Sequence, residues 1–227
     1  MVKKYLAQVC KIENKVEGIY TLELESLNGP FKYVPGQFMH LALDEYDPST
    51  GWPESRCFSM QSSPGEEHIR ITYANKGTFT SRMSKELKPG SHVTLKLPYG
   101  DLFLQAHSKS KTVFIAGGTG VTPFLSLFTD ASFSFYEHPV LYLGIRSEKF
   151  NLYEAELAAA KRNNPYLTAL TIIEDKDGKL DIEKIFMQNG FDPSYFLSGP
   201  PLMIEHFKTV LYNHNVPKQH IFLDTWN

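Results

Sequence analysis

The sequence contains little cysteine, since Cys10 and Cys57 are the only two among its 227 residues. Two cysteines are too few for a disulfide framework, a cysteine-ligated zinc site or a complete iron–sulfur site. The cysteine content therefore predicts a chain that contains no metal site.

An excess of either charge is also missing, and so are long apolar runs. The 23 basic and 25 acidic side chains give a net charge of −2, which argues against nucleic-acid binding because that function needs a basic surface. No apolar run approaches the roughly 20 residues that cross a membrane, and residues 1–15 lack the apolar segment of a signal peptide. We expect a cytoplasmic protein that neither spans a membrane nor binds nucleic acid.

Short strands dominate the sequence from residue 4 to about residue 104. The predicted strands are YLAQVCKI, IYTLELES, QFMHLAL, RCFSMQ, HIRITYA and HVTLKLP. Segments rich in Pro, Gly, Asn, Asp and Ser separate them, and six strands at this spacing predict a small antiparallel barrel. One helix interrupts the strands at TFTSRMSKEL, where Phe79, Met83 and Leu87 share a face.

Beyond residue 106, apolar strands alternate with helical segments. The alternation begins at TVFIA and runs to HIFLDT. It predicts a mostly parallel sheet that is covered by helices on both faces. We place the domain boundary in QAHSKSK, which gives a two-domain chain with an antiparallel β-barrel over 1–105 and an α/β parallel-sheet domain over 106–227.

A glycine-rich turn, Gly117 to Pro123, joins the first strand of the second half to its first helix. Thr122 can act as the helix N-cap, and Pro123 suits the first helical turn. Glycines at 117, 118 and 120 let a ligand approach the backbone, and the N–H groups at a helix start favour a phosphate. A helix entry that merely needs glycine is an equally good interpretation of this motif alone.

The segment RCFSMQSSP, residues 56–64, carries a cation, an aromatic ring and a hydroxyl in a strand-like alternation. The Arg56 guanidinium can donate in pairs to a pyrophosphate. Phe58 can cover a planar ring, and the Ser59 hydroxyl can bond to a ring nitrogen. A half-buried strand with a solvated arginine is the structural alternative.

The segment KGTFTSRM, residues 76–83, places a glycine before several hydroxyls at a predicted helix start. Gly77 allows a close turn, and Thr80 or Ser81 can cap the helix while its first N–H groups face an anion. The alternative is an ordinary helix cap. With the turn at 117–123, each half of the chain now has one candidate phosphate site.

Taken together, the motifs resemble those of the ferredoxin–NADP reductase superfamily of flavoprotein oxidoreductases, in the family's order and over nearly the whole chain. The matches are R-x-[YF]-S at 56–59, G-x-x-[ST] at 77–80, P-[FY]-G at 98–100, G-G-x-G-x-[TA]-P at 117–123 and, with serine in place of the first cysteine, C-G-P-P-x-M at 198–203. Five motifs in this order are far more specific than any one alone. The resemblance implies a stand-alone reductase with an FAD-binding barrel and an NAD(P)-binding α/β domain.

The resemblance also implies roles for individual residues. Those implied to bind the flavin are Arg56, Cys57, Phe58, Ser59, Gly77, Thr78, Thr80 and Trp226. Those implied to bind NADH or NADPH are Gly117, Gly118, Thr119, Gly120, Thr122, Arg146, Gly199, Pro200 and Met203. Those implied to lie near the reacting atoms, where the protein aligns nicotinamide C4 with flavin N5 and excludes water, are Ser59, Ser198 and Asp224.

Two residues depart from the family pattern. Phe58 stands where tyrosine is common, so a phenolic hydrogen bond to the flavin is lost while ring stacking is kept. Ser198 replaces the usual cysteine near the nicotinamide, and a thiol is larger and more polarizable than its hydroxyl. For Asp224 and Trp226, a final strand with a packed tryptophan is an alternative interpretation.

The electron donor stays open between NADH and NADPH. Arg146, Ser147 and Lys149 follow the second strand of the second half, where cationic and hydroxyl groups suit a 2′-phosphate. The segment TIIEDKDGK after the third strand mixes carboxylates with lysines, and a carboxylate there favours a ribose diol. The two signals conflict.

The electron acceptor is also open. Two cysteines are too few to hold an iron–sulfur cluster that could take up the electrons within the chain. Electrons are therefore expected to pass to a separate ferredoxin- or flavodoxin-like protein, an oxygenase component or a small molecule. Arg82, Lys85 and Lys88 suit the docking of an acidic carrier, although a solvated helix face explains them equally well. An alternative function is an electron-relay or regulatory subunit with little NAD(P)H turnover alone, which would tolerate serine at position 198.

Overall fold

The computed structural model describes residues 1–226. Contacts divide these residues into two compact units, which are Met1–Asp101 together with Trp226, and Leu102–Thr225. The sequence places the boundary slightly later, between residues 105 and 106. Which cofactor each unit binds stays a proposal at this point.

The first unit is built on a six-stranded antiparallel sheet. Its strands are β1 (Lys3–Val16), β2 (Ile19–Ser26), β3 (Phe38–Ala42), β4 (Ser55–Ser59), β5 (Ile69–Ala74) and β6 (His92–Tyr99). They lie in the order β4-β3-β6-β1-β2-β5. Just beyond β4, the Gln61 N–H donates to the Arg70 carbonyl on β5 at 2.7 Å. The sheet is therefore a nearly closed barrel, as predicted.

Every second side chain along a strand points into the barrel, and these inward side chains fill its interior. Leu22 pairs directly with Ile71, and Leu24 pairs with Ile69, so these side chains share the inner face of β2 and β5. All four are buried in one apolar cluster. The β1–β2 register shifts between Val9 and Lys11, so Cys10 is the extra residue of a β-bulge, a feature that bends a strand and re-aims its side chains.

A single α-helix, α1 (Thr78–Glu86), belongs to the first unit. Phe79 and Met83 are buried against the barrel core, as their spacing predicts. Neither Thr80 nor Ser81 is the N-cap, which is Gly77, but the Thr80 side chain at the third helical position takes part in a capping box. Thr80 Oγ1 accepts from the Gly77 N–H at 3.1 Å, and Ser81 Oγ donates to Asn75 Oδ1 at 2.8 Å.

The second unit is built on a five-stranded parallel sheet, and the predicted α/β architecture is confirmed. Its strands are β7 (Thr112–Gly117), β8 (Pro139–Ile145), β9 (Thr168–Ile173), β10 (Ser194–Ser198) and β11 (Ile221–Leu223). Its α-helices are α2 (Thr122–Phe128), α3 (Glu154–Asn163), α4 (Glu174–Asp177), α5 (Ile182–Asn189) and α6 (Pro201–Asn213). The strand order is β11-β10-β7-β8-β9.

Both faces of the parallel sheet are covered. Along β7, Phe114 and Ala116 belong to one buried apolar cluster, whereas Val113 and Ile115 belong to another. Successive side chains of a strand point to opposite faces, so the uninterrupted apolar run of β7 is what a doubly covered strand requires. Among residues 1–226, no helix combines the length and the apolar character needed to cross a bilayer.

The barrel core gives a stability prediction. Leu22 is fully buried, so Leu22→Ala is expected to lower the free energy of unfolding of the first unit by about 2–5 kcal/mol. Both Trp52 and Trp226 are grouped with this unit, so tryptophan fluorescence during urea unfolding measures it. The control Leu27→Ala removes a side chain that is 44% exposed and should cost less than about 0.5 kcal/mol. Equal losses in the two variants would contradict the core described above.

Candidate functional site

In the first unit, β4 brings Arg56 beside the start of α1. The Arg56 side chain is 53% exposed and forms an ion pair with Glu54 at 2.9 Å. Its guanidinium lies 5.2 Å from the centre of the Phe79 ring, and Phe79 is the second residue of α1. The two candidate phosphate-binding segments of the first half are thus neighbours in the fold.

The N-terminus of α1 is open on the side of Gly77. A Cβ built on Gly77 has no neighbour within 4 Å, and the flanking Lys76 and Thr78 are exposed. The first N–H groups of a helix have no acceptor inside it and carry its positive end. The Thr80 hydroxyl takes up two of the N–H groups of this turn, those of Lys76 at 3.0 Å and Gly77. An anion beside Arg56 and α1 would meet positive charge from both.

Ser59 ends β4 with a buried side chain. It is 7% exposed, and its Oγ has no hydrogen-bond partner among residues 1–226. The Tyr73 hydroxyl on β5 is likewise buried with no partner in the described chain. An unsatisfied buried hydroxyl costs about 1–3 kcal/mol, so each of these two groups is one that a polar ligand would satisfy.

Tyr73 is a residue that sequence reasoning missed. Its ring meets the Phe58 ring edge-on, with centroids 6.0 Å apart, and stacks on Tyr20. Burial raises the pKa of Tyr73, so its hydroxyl stays protonated and able to donate. The segment HIRITYA reads as an ordinary half-buried strand, and nothing in it singles out this tyrosine.

Phe58 and Cys57 occupy different surroundings in β4. Phe58 is 8% exposed and packs in the barrel core, so its expected contact with a flavin ring stays a prediction. Cys57 pairs across the sheet with His40, with its Sγ 3.7 Å from Nε2. Burial raises the pKa of Cys57 and lowers the pKa of His40. Both groups are therefore neutral at pH 7, and Cys57 is not an activated nucleophile.

Trp226 is grouped with the first unit. Its ring is half exposed and tilted against Phe38, with centroids 6.4 Å apart. Phe38 stacks on Tyr99 and lies directly opposite Ser59 in the β3–β4 register. Trp226 thus contacts a residue that pairs directly with Ser59, and its expected contact with a flavin ring stays a prediction.

In the second unit, the glycine-rich turn leaves β7 as a short 3₁₀ helix, Gly118–Val121. Gly118 has φ +56°, and a Cβ built on it has no neighbour within 4 Å. Thr122 is not the N-cap, because Val121 takes that position and Thr122 is the first residue of α2. The Thr122 hydroxyl donates to the Thr119 carbonyl at 2.9 Å and so stabilises the turn.

Gly120 is required by packing within the second unit. A Cβ on Gly120 would lie 2.5 Å from Gly199 Cα, and one on Gly117 would lie 2.9 Å from Met203 Sδ and Pro200 Cδ. Ser198 is the last residue of β10, which pairs directly with β7, and residues 199–203 follow it. The two motifs therefore meet at the carboxyl ends of adjacent strands, where the strand order changes direction and where such sheets bind ligands.

The structure brings two of the predicted catalytic residues together. Ser198 is fully buried, and its Oγ donates to Asp224 Oδ2 at 2.7 Å. The Asp224 backbone N–H donates to the Leu197 carbonyl at 2.9 Å, which fixes the carboxylate beside the end of β10. The Ser198 hydroxyl is therefore held in one orientation, with its oxygen able to accept a further hydrogen bond.

Cations and carboxylates follow β8 and β9. Arg146 and Lys149 both lie against the Phe150 ring, at 5.8 and 5.3 Å from its centre, and within residues 1–226 neither forms an ion pair with a carboxylate. Glu174 pairs with Lys179 at 3.7 Å, and Asp177 accepts from the Ile173 N–H at 2.9 Å. The cations after β8 are thus exposed and could meet a bound phosphate, while Glu174 and Asp177 after β9 are engaged and Asp175 there is exposed.

The predicted basic face on α1 is smaller than its sequence indicates. Arg82 donates to both Asp44 oxygens at 3.0 and 3.3 Å and also pairs with Glu86. Those carboxylates offset its charge, which leaves Lys85 and Lys88 as the exposed cations of the segment. Asp44 lies far from α1 in sequence, so only the fold reveals this pairing.

Comparison with known proteins shows what this chain is similar to. A family model described as the oxidoreductase NAD-binding domain matches residues 114–209, from β7 into α6. The ferredoxin–NAD(P)(+) reductase component of the naphthalene 1,2-dioxygenase system of Pseudomonas putida is 28% identical to this chain. The match covers 96% of this chain and 67% of that protein. The reductase component of phenol 2-monooxygenase from Pseudomonas sp. (strain CF600) is 30% identical, over 87% of this chain and 59% of that protein.

A solved structure shares the fold over its whole length. A ferredoxin NADP⁺ reductase from Neisseria gonorrhoeae with bound FAD and NADP superposes with a TM-score of 0.81, at 16% identity, over 97% of this chain and 98% of that one. The chain spans about six tenths to two thirds of the length of the two curated relatives. The fold is therefore shared with this solved structure, and the family-model match lies within the second unit.

The two kinds of glycine in the turn after β7 give a prediction. Gly120→Ala is expected to lower the unfolding free energy of the second unit by about 1–3 kcal/mol, because the added carbon meets rigid backbone. Gly118→Asn should change it little, since asparagine tolerates positive φ and the space beside Gly118 is open. Near-ultraviolet circular dichroism during urea unfolding measures both. A large loss in Gly118→Asn with none in Gly120→Ala would contradict the packing described.

Proposed function

We propose that this chain is an NAD(P)H-dependent flavoprotein reductase of the ferredoxin–NADP reductase superfamily. The first unit binds FAD and the second binds NAD(P)H. A hydride passes from NAD(P)H to FAD, and electrons then pass to an acceptor outside these 227 residues. The observation that carries the proposal is the buried Ser59 hydroxyl, which has no partner in residues 1–226 and ends the strand that also holds Arg56.

The residues around Arg56 fit the pyrophosphate of FAD. Arg56 would exchange its exposed ion pair with Glu54, which is worth little in water, for a charge-assisted contact with phosphate oxygens. The start of α1 at Thr78 would donate its free N–H groups to the same anion. Gly77 offers no side chain to block the approach. Positive charge and open space thus coincide at one place.

Ser59 and Tyr73 fit the polar edge of the flavin ring. Bound FAD supplies the chemistry of the site, since it accepts a hydride and releases electrons one at a time. The Ser59 hydroxyl would donate a hydrogen bond to a ring nitrogen, and the protonated Tyr73 hydroxyl would donate to another polar atom of the cofactor. Both hydroxyls would gain the hydrogen-bond partner that residues 1–226 do not provide.

Ser198 and Asp224 would hold the nicotinamide end of NAD(P)H. The carboxylate fixes the serine hydroxyl at 2.7 Å, so the serine oxygen can accept from the carboxamide without losing that contact. Gly118 would take the pyrophosphate, because its backbone is open and has positive φ. Arg146 and Lys149, which face solvent after β8, favour NADPH as the donor because a 2′-phosphate needs cationic partners.

The acceptor is proposed to be a ferredoxin-like carrier or an oxygenase component. The relatives named above are reductase components of a dioxygenase system and a monooxygenase. With two cysteines, these 227 residues cannot supply four to an iron–sulfur cluster. Lys85 and Lys88 are exposed on and just after α1, where they could meet an acidic partner. The two unpaired cysteines support a cytoplasmic location, where thiols stay reduced.

A second candidate function is an electron-relay or regulatory subunit that turns over little NAD(P)H alone. Ser198 favours it, because the family pattern that the sequence resembles has cysteine at this position and a serine hydroxyl is less polarizable than a thiol. Ser198→Cys distinguishes the two functions. A reductase that already works with serine should change its rate of flavin reduction only modestly, whereas a relay subunit should gain the reaction.

Ser59→Ala tests the proposed flavin site by two effects of opposite sign. Removing an unsatisfied buried hydroxyl should leave the FAD-free protein equally stable, or more stable by about 1 kcal/mol. The same change should slow reduction of bound FAD by NADPH about 10- to 100-fold, which is what one lost hydrogen bond of about 1.5–3 kcal/mol gives. Urea unfolding and anaerobic stopped-flow absorbance measure the two effects.

The matched control for this test is Ser62→Ala. Ser62 is also buried, but its Oγ lies 3.0 Å from the Tyr33 hydroxyl and accepts from the Arg70 N–H at 3.0 Å. Its removal should therefore destabilise the first unit while leaving flavin reduction close to wild type. An unchanged reduction rate in Ser59→Ala would contradict the role assigned to Ser59.

Arg146→Gln tests the preference for NADPH. Loss of one charge-assisted contact to the 2′-phosphate should weaken NADPH binding about tenfold or more and leave NADH binding unchanged. Titration of the protein with each nucleotide measures the change. Arg162→Gln, which alters another exposed arginine of the second unit, is the control. Equal effects on both nucleotides would contradict a 2′-phosphate contact at Arg146.

A further inference from the structure

We propose that Cys10, Glu25 and His68 form a binding site for a divalent zinc-class cation on the outside of the barrel. The thiol sulfur, a carboxylate oxygen and an imidazole nitrogen of these residues all lie within 4.8 Å of one another. This site is separate from the residues assigned above to FAD and NAD(P)H. It therefore does not depend on the proposed reductase function.

The sheet topology explains why these three residues meet. The strands β1, β2 and β5 are adjacent in the barrel. Glu25 lies on β2 and pairs with Gln8 of β1, while its neighbour Leu24 pairs with Ile69 of β5. His68 immediately precedes Ile69, so it comes level with Glu25. The three ligands thus form a row across three neighbouring strands.

The β-bulge in β1 completes the row. Cys10 is the extra residue where the β1–β2 register shifts between Val9 and Lys11. Val9 points into the core and is 1% exposed, whereas the Cys10 side chain is only partly buried and its Sγ lies 3.8 Å from Glu25 Oε2. A bulge that re-aims one side chain is a device found next to functional sites. Here it turns a thiol toward a carboxylate and an imidazole.

The chemistry of the three groups selects the class of ion. Thiolate and imidazole are ligands that Zn²⁺ prefers, and a carboxylate oxygen commonly joins them. Zinc bonds of about 2.0–2.3 Å in a tetrahedron place ligand atoms about 3.3–3.8 Å apart. The distance of 3.8 Å between Cys10 Sγ and Glu25 Oε2 is at the upper end of that range, and no separation among the three ligand atoms exceeds 4.8 Å. A water molecule would fill the fourth position.

Charge at this place also favours a cation. Within residues 1–226, Glu25 forms no ion pair with a basic side chain, whereas Glu23 on the same strand is paired with Arg70 at 3.3 Å. A divalent cation would be held by the Glu25 carboxylate, by the His68 imidazole and by the thiolate that Cys10 forms when it releases one proton on binding the cation.

The sequence predicts no metal site, and the reason is the spacing of the ligands. Zinc motifs are recognised by pairs of cysteines or histidines a few residues apart. Here the three ligands come from three strands separated by long stretches of chain. Only strand pairing and the bulge at Cys10 bring them to one place.

Titration of the purified 227-residue protein with Zn²⁺ in a calorimeter, after treatment with a chelator, tests the proposal. We expect one Zn²⁺ per chain, with affinity reduced at least tenfold in Cys10→Ser and in His68→Gln. Titration with Co²⁺ should give the near-ultraviolet absorption of a cobalt–thiolate bond, which Cys10→Ser should abolish. Tryptophan fluorescence during unfolding establishes that each variant is folded.

Cys57→Ser is the matched control, because Cys57 is the other thiol of the barrel and lies beside His40. It should leave Zn²⁺ affinity and the Co²⁺ spectrum unchanged. The proposal is overturned if the wild-type protein binds no Zn²⁺, or if Cys57→Ser removes binding while Cys10→Ser keeps it. Should His68→Gln fold poorly, Glu25→Gln at an exposed position replaces it, with the same expected loss.

Discussion

No side chain fits between Gly120 and the backbone of Gly199, and the candidate nucleotide site depends on that close approach. The contact joins the turn after β7 to the turn after β10, at the edge where parallel strands end. It also places Ser198 beside β7 with its hydroxyl fixed by Asp224. Gly118, in contrast, is open. Glycine thus serves two purposes in one motif, since one position is needed by the fold and the other is left for a ligand.

The first unit differs from the second, because its fold buries polar side chains without giving them hydrogen-bond partners among the described residues. Two buried hydroxyls, of Ser59 and Tyr73, have no partner in the described chain, although burying such groups destabilises a protein. Arg56 is held by an exposed carboxylate that a phosphate could replace. A barrel selected for stability alone would fill these positions with apolar side chains. Their retention is explained if a polar cofactor completes the site.

The architecture could be read from the sequence because its periodicities are strong. Alternating strands predict the barrel, and the uninterrupted apolar run at β7 matches a strand covered on both faces. Contacts between distant residues could not be read in this way. The Arg82–Asp44 pair, the unsatisfied Tyr73 hydroxyl and the meeting of Cys10 with His68 all depend on strand register and side-chain rotation. The N-cap positions of Thr122 and Thr80 were predicted wrongly because a hydroxyl near a helix start has several local acceptors and donors to choose from.

The central claim is that this chain accepts a hydride from a nicotinamide nucleotide onto bound FAD. The most direct test is anaerobic stopped-flow absorbance of the FAD-loaded protein, mixed in parallel with NADPH and with NADH. The account predicts rapid loss of the oxidised-flavin band, faster with NADPH than with NADH. A bound FAD that neither nucleotide reduces would contradict it.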